Sequence, residues 1–360
     1  MAKVVSLPDV SQFFKALMEK GAFKGIFGLR KSGGLAHYCL FADAETLEEL
    51  SPWFPLMPVN AARSLVFYTF HQESPYTVAF IGRPCEIRAV VELAKLEQLK
   101  LENILLVGVE CVGVYPQKEP AVSRDVGDRL DEYMNAAKSG SIPEGVRESC
   151  KLCMHFVPEN VDITVSLIGR EQPVLVLHSE RAIDLAEELG FQVTEGEERT
   201  QAIENLLSEK QKFVQAFEQE FQEKYTGVDG VLSLFSNCIA CHNCRSVCPI
   251  CYCRDCFFDS ATFDYEPESY ERRVTRQGYV RVPMDTLLFH LGRMTHMTTS
   301  CVGCGMCEDA CPVGIPVSRA FKFVGKEVQA LFDYVPGRSL EEELPLTTYR
   351  VDELHEVEDR

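Results

Sequence analysis

The spacing of the cysteines between positions 238 and 256 constrains this chain more than any other feature of its sequence. The stretch reads CIACHNCRSVCPICYCRDC and opens with the motif C-x2-C-x2-C-x3-C-P. The motif occurs again in SCVGCGMCEDACPVGIP, where a proline also follows the fourth cysteine. Because four cysteines at one spacing rarely recur by chance, the duplication predicts a module built around two similar metal centres.

The spacing also indicates which metal the module holds. In ferredoxins with two iron-sulfur cubes, the first three cysteines of such a run bind one cube and the fourth binds the other. Structural zinc, the alternative, typically takes its four ligands as two separated pairs. We therefore predict two [4Fe–4S] clusters. The first is assigned to Cys238, Cys241, Cys244 and Cys311. The second is assigned to Cys301, Cys304, Cys307 and Cys248.

Composition favours the same interpretation. Thiol buffers in the cytosol keep most disulfides reduced, so the 16 cysteines indicate metal binding in a cytoplasmic protein. The N-terminal segment lacks the apolar stretch of a signal peptide, and no run of ~18 apolar residues predicts a membrane span. A formal net charge of -18 disfavours nucleic acid as a partner, because a polyanion repels an acidic surface.

The segment before the cysteine module predicts an α/β fold. Apolar runs at 77–81 and 104–109 flank a helical repeat of apolar residues at 87–94, which is the pattern of a βαβ unit. Runs that are apolar on both faces suit a parallel or mixed sheet covered by helices. The other predicted elements are a hairpin of 25–29 and 35–41, strands at 161–168 and 174–177, and a helix at 182–189.

These patterns divide the chain into four parts. Residues 1–195 are predicted to form the α/β domain, and residues 196–229 contain a linking amphipathic helix at about 201–225. Residues 230–335 are predicted to form a small α+β module of the two-cluster ferredoxin type. Residues 336–360 are acidic and poor in apolar side chains, which predicts a solvated tail or a partner-docking extension.

A third set of cysteines lies outside this module. Cys85 and Cys111 each follow a strand of the predicted βαβ unit, and both loops of a right-handed crossover emerge at the carboxyl edge of the sheet. Cys150 and Cys153 form a C-x2-C pair just before another strand. We predict that the four cysteines bind a third [4Fe–4S] cluster. The alternative is that Cys85 and Cys111 are buried spacers and that the pair holds zinc or no metal.

Several segments, in order, resemble those of a known family. RPCEIRAVVELAKL, GVECVGVYP, ESCKLC and VDITVSLIG are similar to segments of the beta subunits of coenzyme F420-reducing hydrogenases and F420-linked formate dehydrogenases. CPICYCRDC and HMTTSCVGCGMCEDACPVGIP most resemble the formate dehydrogenase beta subunits. The resemblance implies an FAD in the α/β domain, a hydride-exchanging coenzyme such as F420, and clusters that exchange single electrons with a catalytic subunit. It also implies that the third set occupies the positions of the family's flavin-domain cysteines.

The sequence contains no strong motif for binding a flavin. Neither G-x-G-x-x-G after a strand nor G-x4-G-K-[ST] occurs. Two turns combine glycine with a cation and are candidates for binding a pyrophosphate, although both also suit ordinary turns. The candidate cofactor-binding residues are Arg30, Lys31, Gly33, Gly34, Gly82 and Arg83.

Other residues near the motifs have open roles. Cys251, Cys253 and Cys256 can supply an alternative ligand, hold a further metal or pack as small apolar groups, and Cys39 has no assigned role. A predicted helix at 285–297 carries His290, Arg293 and His296, and we expect its histidines to be exposed rather than functional. A basic insert, which we expect to be a solvated loop rather than a docking patch, contains Arg272, Arg273, Arg276 and Arg281.

Together these inferences predict the electron-transferring flavin and iron-sulfur subunit of a formate dehydrogenase or hydrogenase complex. No segment resembles a molybdopterin or nickel-iron site, so we assign no catalytic residue here and place substrate oxidation on a partner subunit. The first alternative is a flavin-free, polyferredoxin-like adaptor that serves an electron-accepting complex of the heterodisulfide-reductase type or another redox complex. The second alternative is a zinc-binding interaction module.

Overall fold

The computed structural model describes residues 2–7, 9–21, 23–32, 35–70, 72–117, 129–196 and 199–348. The strands are β1 Lys3–Ser6, β2 Gly25–Ser32, β3 Leu35–Phe41, β4 Val78–Gly82, β5 Ile104–Val109, β6 Ile163–Ser166, β7 Val174–Leu177 and β8 Thr194–Glu195. The helices are α1 Ser11–Glu19, α2 Ala61–Thr69, α3 Pro84–Lys95, α4 Leu130–Ser139, α5 Glu148–Lys151, α6 Glu180–Glu188, α7 Thr200–Tyr225, α8 Gly227–Leu234, α9 Asn243–Ser246, α10 Pro267–Gln277, α11 Thr286–Met297, α12 Met306–Asp309 and α13 Val317–Leu331. Short 3-10 helices cover Ala44–Glu49, Phe257–Asp259 and Ala261–Phe263.

The strands of the described residues form one mixed sheet in the order β3-β2-β4-β5-β6-β7-β1-β8. Strands β2, β4, β5 and β6 run parallel, and the remaining neighbours are antiparallel. The predicted mixed sheet is therefore confirmed, although the strand predicted at 161–168 covers only Ile163–Ser166. Since parallel strands end at the same edge of a sheet, the residues that follow β4 and β5 lie at one edge.

Helix α3 is the crossover of the predicted βαβ unit. It connects β4 and β5, which are buried along their whole lengths. Pro84 occupies the first turn of the helix, where no N–H donor is needed. The carboxylate of Glu86 accepts a hydrogen bond of 2.8 Å from the N–H of Arg83 and so caps the helix. This start places Cys85 in the first helical turn, beside the carboxyl end of β4.

The C-terminal segment packs directly against this α/β unit. Ile250 and Val302 join a buried apolar cluster that consists mostly of residues from α2, α3, β4 and β5. Arg88 of α3 donates a hydrogen bond to the carbonyl of Val302, and Lys322 of α13 donates one of 2.6 Å to the carbonyl of Ser149. The segments that carry the two kinds of cysteine motif therefore share a core.

The C-terminal module differs from the predicted α+β character. Residues 230–335 are all described, and they contain helices and loops but no strand. Their core consists of side chains from α7, α8, α11 and α13, together with the cysteines themselves. The insertion between the two motifs forms helices, including the predicted one at 285–297, so the module is α-helical rather than α+β. The basic insert, predicted as a loop, also contains a helix, α10.

Helix α7 covers almost the same residues as the predicted linking helix. Leu206, Lys210 and Phe221 are its buried residues, whereas Phe213 is 39% exposed. The ammonium group of Lys210 donates a hydrogen bond of 2.7 Å to the carbonyl of Cys150. A buried lysine in an amphipathic helix needs such a partner, because an unpaired buried charge is costly. Helix α7 thus supports the loop of the third cysteine set.

The predicted solvated tail begins later than expected. Gly337 is buried, and its N–H donates to the carboxylate of Glu92 at 2.8 Å. Arg88 donates to the carbonyl of Pro336 at 2.6 Å, and Leu344 is only 4% exposed. The first part of this acidic stretch therefore packs on α3, because the buried charges of α3 find their partners there. Residues 349–360 lie outside the described part of the chain.

Among the described ranges, none of the helices combines the length and the apolar character needed to cross a lipid bilayer.

Candidate iron-sulfur centres

Two cavities in the C-terminal module are each lined by four cysteines. The first-motif cavity is lined by Cys238, Cys241, Cys244 and Cys311. The second-motif cavity is lined by Cys301, Cys304, Cys307 and Cys248. Each cavity combines three cysteines of one motif with the fourth cysteine of the other, which are the sets assigned from the sequence. The described part of the chain contains no group of three or more His, Cys, Asp or Glu side chains that could hold a single metal ion.

Backbone conformation explains how the cysteine loops surround these cavities. Ala240 (φ 51°) and His242 (φ 55°) adopt left-handed backbone between the cysteines of the first motif. Gly303 (φ 65°) and Gly305 (φ 81°) do so at the same two positions of the second motif. Glycine adopts this conformation most readily, so the second motif has the less strained form of the same loop. The N–H of Ala240 donates to the sulfur of Cys238 at 3.4 Å, and such a donor favours the thiolate that a metal requires.

His290 lies against the first-motif cavity. Its Nε2 atom is 3.3 Å from the sulfur of Cys238, and its ring stacks on Phe235 with 3.9 Å between ring centres. Burial, with a contribution from the nearby charge of Arg293, lowers the pKa of His290 to about 3. The expected exposure of the helix histidines is thus wrong for His290, which is 1% exposed, although His296 is exposed.

Arg293 lies in the wall between the two cavities. It is 3% exposed and donates to the sulfur of Cys244 at 3.2 Å and to the carbonyl of the same residue at 3.1 Å. It also lines the second-motif cavity beside Cys248. Burial by itself lowers the pKa of Arg293, but the cysteine thiolates around it outweigh this effect and raise the pKa, so it stays a cation. The sequence signal that could have found this residue is an arginine on an otherwise apolar helix beside a cysteine motif.

The extra cysteines of the first motif lie in different surroundings. The sulfur of Cys251 is 3.3 Å from the sulfur of Met297, and it accepts a long contact of 3.8 Å from Arg293. Cys253 is exposed, and Cys256 packs against the helical core of the module. Cys39 lies on β3, away from both cavities, and its side chain is partly buried.

The third cysteine set comes together at the carboxyl edge of the sheet. Cys85, Cys111 and Cys150 pack around a small buried cluster that consists of Met57, Val114 and Met306. Cys304 of the second motif packs against the same cluster. Cys153 interacts electrostatically with Cys85 and Cys111. The crossover and the C-x2-C loop therefore bring four cysteines from three segments into one region, and this region adjoins the second-motif cavity.

The pKa values of the cysteines in the third set are shifted in opposite directions. Burial raises the pKa of Cys111 to about 11 and the pKa of Cys85 well above its usual range. Burial also acts to raise the pKa of Cys153, but three cations outweigh it and lower that pKa. These cations are Lys322, Lys210 and Arg88. They come from α13, α7 and α3, which are distant in sequence, so motif analysis missed them.

Most of the residues predicted to contact a flavin contact other parts of the protein instead. Arg30 forms an ion pair with Glu49, and the Lys31 ammonium lies 5.1 Å from the centre of the Phe54 ring. Arg83 is buried and donates to the hydroxyl of Tyr38 and to the carbonyl of Leu56, each at 2.9 Å. At Gly82 an added Cβ would lie 2.8 Å from the Phe80 ring, so local packing accounts for this glycine. Gly33 and Gly34 lie outside the described residues.

A groove of about 690 Å³ lies between α7 and α13. Cys153 of the third set and Cys301 of the second motif both line it. Two of its lysines already have partners, because Lys322 donates to a backbone carbonyl and Lys326 pairs with Glu218. Its walls come from segments far apart in the chain, so no local sequence pattern marks it.

Comparison with known proteins agrees with the cysteine motifs. Residues 234–315 match the family described as a 4Fe-4S dicluster domain. The chain is 26% identical to the F420-dependent formate dehydrogenase subunit beta of Methanocaldococcus jannaschii, with 91% of each chain covered. It is 28% identical to the F420-dependent formate dehydrogenase 1 subunit beta of Methanococcus maripaludis, with 91% of this chain and 90% of the relative covered.

Among solved structures, the chain is similar to a chain of the F420-reducing [NiFe] hydrogenase complex from Methanosarcina barkeri. The match has a TM-score of 0.43 and 14% identity, and it covers 63% of this chain and 93% of the other. The sequence relatives, which cover nine-tenths of the chain, confirm the resemblance predicted from the cysteine motifs. Over nine-tenths of its length the chain is similar to beta subunits of F420-dependent formate dehydrogenases, and it contains a 4Fe-4S dicluster domain.

Proposed function

We propose that this chain is the subunit of an oxidoreductase complex that carries electrons between a hydride-carrying coenzyme and a catalytic partner subunit. The observation that supports this function best is the crossed arrangement of cysteines around the two cavities of the dicluster domain. Iron-sulfur clusters exchange single electrons, and their protein surroundings set their potentials. In this proposal the chain itself binds no formate and supplies no acid or base to the reaction.

The third cysteine set gives the electron path its order. Cys304, a proposed ligand of the second cluster, packs against the same small buried cluster as Cys85, Cys111 and Cys150. We therefore assign a third [4Fe–4S] cluster to this set and place it next to the second cluster. The first cluster forms the far end of the path. There Cys241 is exposed and Ile239 is 53% exposed, which suits the approach of a partner protein.

The identity of the coenzyme is the finer part of the proposal. The names of the relatives include F420 and formate dehydrogenase, and we propose an F420-type coenzyme, an FAD and a catalytic subunit of the formate dehydrogenase or hydrogenase type. A bound flavin would accept electrons in pairs and release them singly. The parallel strands place the end of β2, with Lys31, at the same sheet edge as the third set. Among the described candidate flavin contacts, Arg30 and Arg83 form ion pairs with glutamates, whereas Lys31 forms no ion pair.

Metal and flavin analysis of anaerobically purified protein tests this function. Three cubes predict roughly twelve irons per chain with equal sulfide, and two cubes predict roughly eight. Bound FAD that a reduced deazaflavin can reduce supports the coenzyme assignment. A colourless protein that contains zinc and no sulfide would exclude the whole proposal.

A substitution isolates the third cluster. We expect Cys85→Ser to lower the iron content by about four atoms per chain, because it removes one of four thiolate ligands, while the dicluster signals persist. The matched control is Cys39→Ser, since Cys39 is partly buried but belongs to no cysteine set. An iron content for Cys85→Ser equal to that of the control would remove the third cluster from the proposal.

A flavin-free adaptor is the second candidate function. It is favoured by the contacts of Arg30 and Arg83, since both guanidinium groups already have protein partners. The two candidates differ in one measurable property. Protein that has a full complement of iron but no flavin, even after incubation with FAD, would favour the adaptor.

A further inference from the structure

Helix α11 buries two of its polar side chains and exposes two of its leucines. His290 and Arg293 are 1% and 3% exposed, whereas Leu288 and Leu291 are 54% and 43% exposed. A helix on a protein surface normally has the opposite arrangement. Burying an arginine is costly unless it is paired, so something beneath this face must compensate the charge. The cysteines of the two cavities supply that compensation.

The buried face of α11 contacts both cavities. His290, Arg293 and Met297 follow one another at helical spacing and therefore lie on one side of the helix. His290 lies 3.3 Å from the sulfur of Cys238, which belongs to the first-motif cavity. Arg293 lies 3.2 Å from the sulfur of Cys244 and also lines the second-motif cavity. One cation thus adjoins both cavities, and one ring nitrogen adjoins the first alone.

The charge and the hydrogen bond have predictable effects on a cluster. Reduction adds one electron to a cube that is already surrounded by thiolates, and no bond to protein forms or breaks. A nearby cation, or a donor to a ligand sulfur, stabilises the added negative charge and raises the reduction potential. A charge held in a buried wall acts strongly, because water does not screen it.

We propose that Arg293 and His290 are positioning residues that set the reduction potentials of the dicluster domain. Arg293 raises the potentials of both clusters, and His290 raises that of the first cluster alone. This inference rests on the proposed function, because it requires clusters on the cysteines of the two cavities. It adds a reason for the insertion between the motifs, which supplies α11.

The test is a redox titration of the full chain under anaerobic conditions, followed by electron paramagnetic resonance, with iron analysis of each variant. We expect Arg293→Gln to make both clusters harder to reduce, with at least a tenfold fall in the ratio of reduced to oxidised cluster at a fixed poise. Arg293→Lys keeps the positive charge, so its ratio of reduced to oxidised cluster should lie close to that of the unsubstituted chain. His290→Gln should shift only one of the two midpoints. The matched control is Arg272→Gln, which removes an exposed arginine of α10 and should shift neither.

Several results would overturn this inference. Full iron content with unchanged midpoints in Arg293→Gln would do so, as would a shift no larger than that of Arg272→Gln. Loss of iron in both Arg293→Gln and Arg293→Lys would indicate a purely structural role. A wild-type chain without [4Fe–4S] signals would instead reject the proposed function, and the inference with it, so the two failures are distinguishable.

Discussion

At the scale of single residues, the contacts of a cysteine decide which role it can take. Cys248 lines the second-motif cavity, whereas Cys251, three positions later, contacts the sulfur of Met297 and the guanidinium of Arg293. The sequence leaves both sulfurs available as the fourth ligand. The structure favours Cys248, because Cys248 lines this cavity, whereas Cys251 lies behind Met297 and Arg293, which belong to the lining.

This difference predicts the behaviour of two neighbouring variants. Cys251→Ser should keep the full iron content, since its sulfur packs beside a cluster site rather than lining it. Cys248→Ser should lose about four irons per chain or leave a damaged second cluster. Iron analysis and resonance spectra of the anaerobic proteins measure both. Equal losses in the two variants would show that the cysteines exchange as ligands.

At the scale of secondary-structure elements, helices carry charges into the core where cysteine loops need them. Helix α7 has the periodicity of an amphipathic helix, yet its most buried residues include Lys210, at 1% exposed. The ammonium group satisfies the carbonyl of Cys150 and also acts to lower the pKa of Cys153. Helix α11 does the same for the dicluster cavities with Arg293. Hydrophobic periodicity therefore located both helices but mispredicted part of what they bury.

The role of α7 predicts a local defect. Lys210→Met should destabilise the protein by about 1–3 kcal/mol, because it removes a charge-assisted hydrogen bond of 2.7 Å and leaves the carbonyl of Cys150 with only the N–H of Cys153, at 3.2 Å, as its donor. We also expect lower iron retention at the third set and normal dicluster signals. Lys212→Met is the control, since Lys212 is exposed on the same helix. Anaerobic denaturation curves and iron analysis provide the measurements, and identical curves for the two variants would contradict the assigned role.

At the scale of the whole molecule, buried polar contacts hold the two cysteine regions together. Arg147, close to Cys150, pairs with Asp309 of the dicluster segment at 2.7 Å, and their side chains are 4% and 5% exposed. Lys322 adds a hydrogen bond from α13 to Ser149. The proposed electron transfer between the third and second clusters would require these segments to keep a constant separation, and buried charge pairs supply that constraint.

Breaking the ion pair between Arg147 and Asp309 should therefore destabilise the protein more than breaking an ion pair at the surface. We expect Asp309→Ala to destabilise the protein by about 3–5 kcal/mol, because it leaves Arg147 buried without its counter-ion. The control is Glu218→Ala, which removes the partner of the exposed Lys326 from an ion pair at the surface and should cost at most ~1 kcal/mol. Anaerobic denaturation midpoints compare the two. The double variant Arg147→Met/Asp309→Leu should recover part of the loss, and no recovery would argue against the pair as the cause.

Sequence reasoning predicted the features of this chain that depend on neighbouring residues. The βαβ unit, helix α7 and helix α11 follow from apolar periodicity, because each element forms from its own short segment. The cysteine runs predicted the dicluster domain for the same reason, since the ligands of such clusters occur at a fixed local spacing. The α+β class predicted for the C-terminal module is wrong for its described residues, which contain no strand, because that class came from the ferredoxin-type cysteine motif and not from a strand pattern in the segment.

By itself, then, the sequence determined which thiolates are available, how they are grouped and which strands bring Cys85 and Cys111 to one edge. Only the tertiary structure decided that Cys304 adjoins the third set, that Arg293 and His290 are buried against the dicluster cysteines, and that Gly337 closes over α3. The physical reason is that periodicity and spacing report contacts within a few turns of chain. Burial and charge compensation depend instead on segments that meet only after the whole chain has folded.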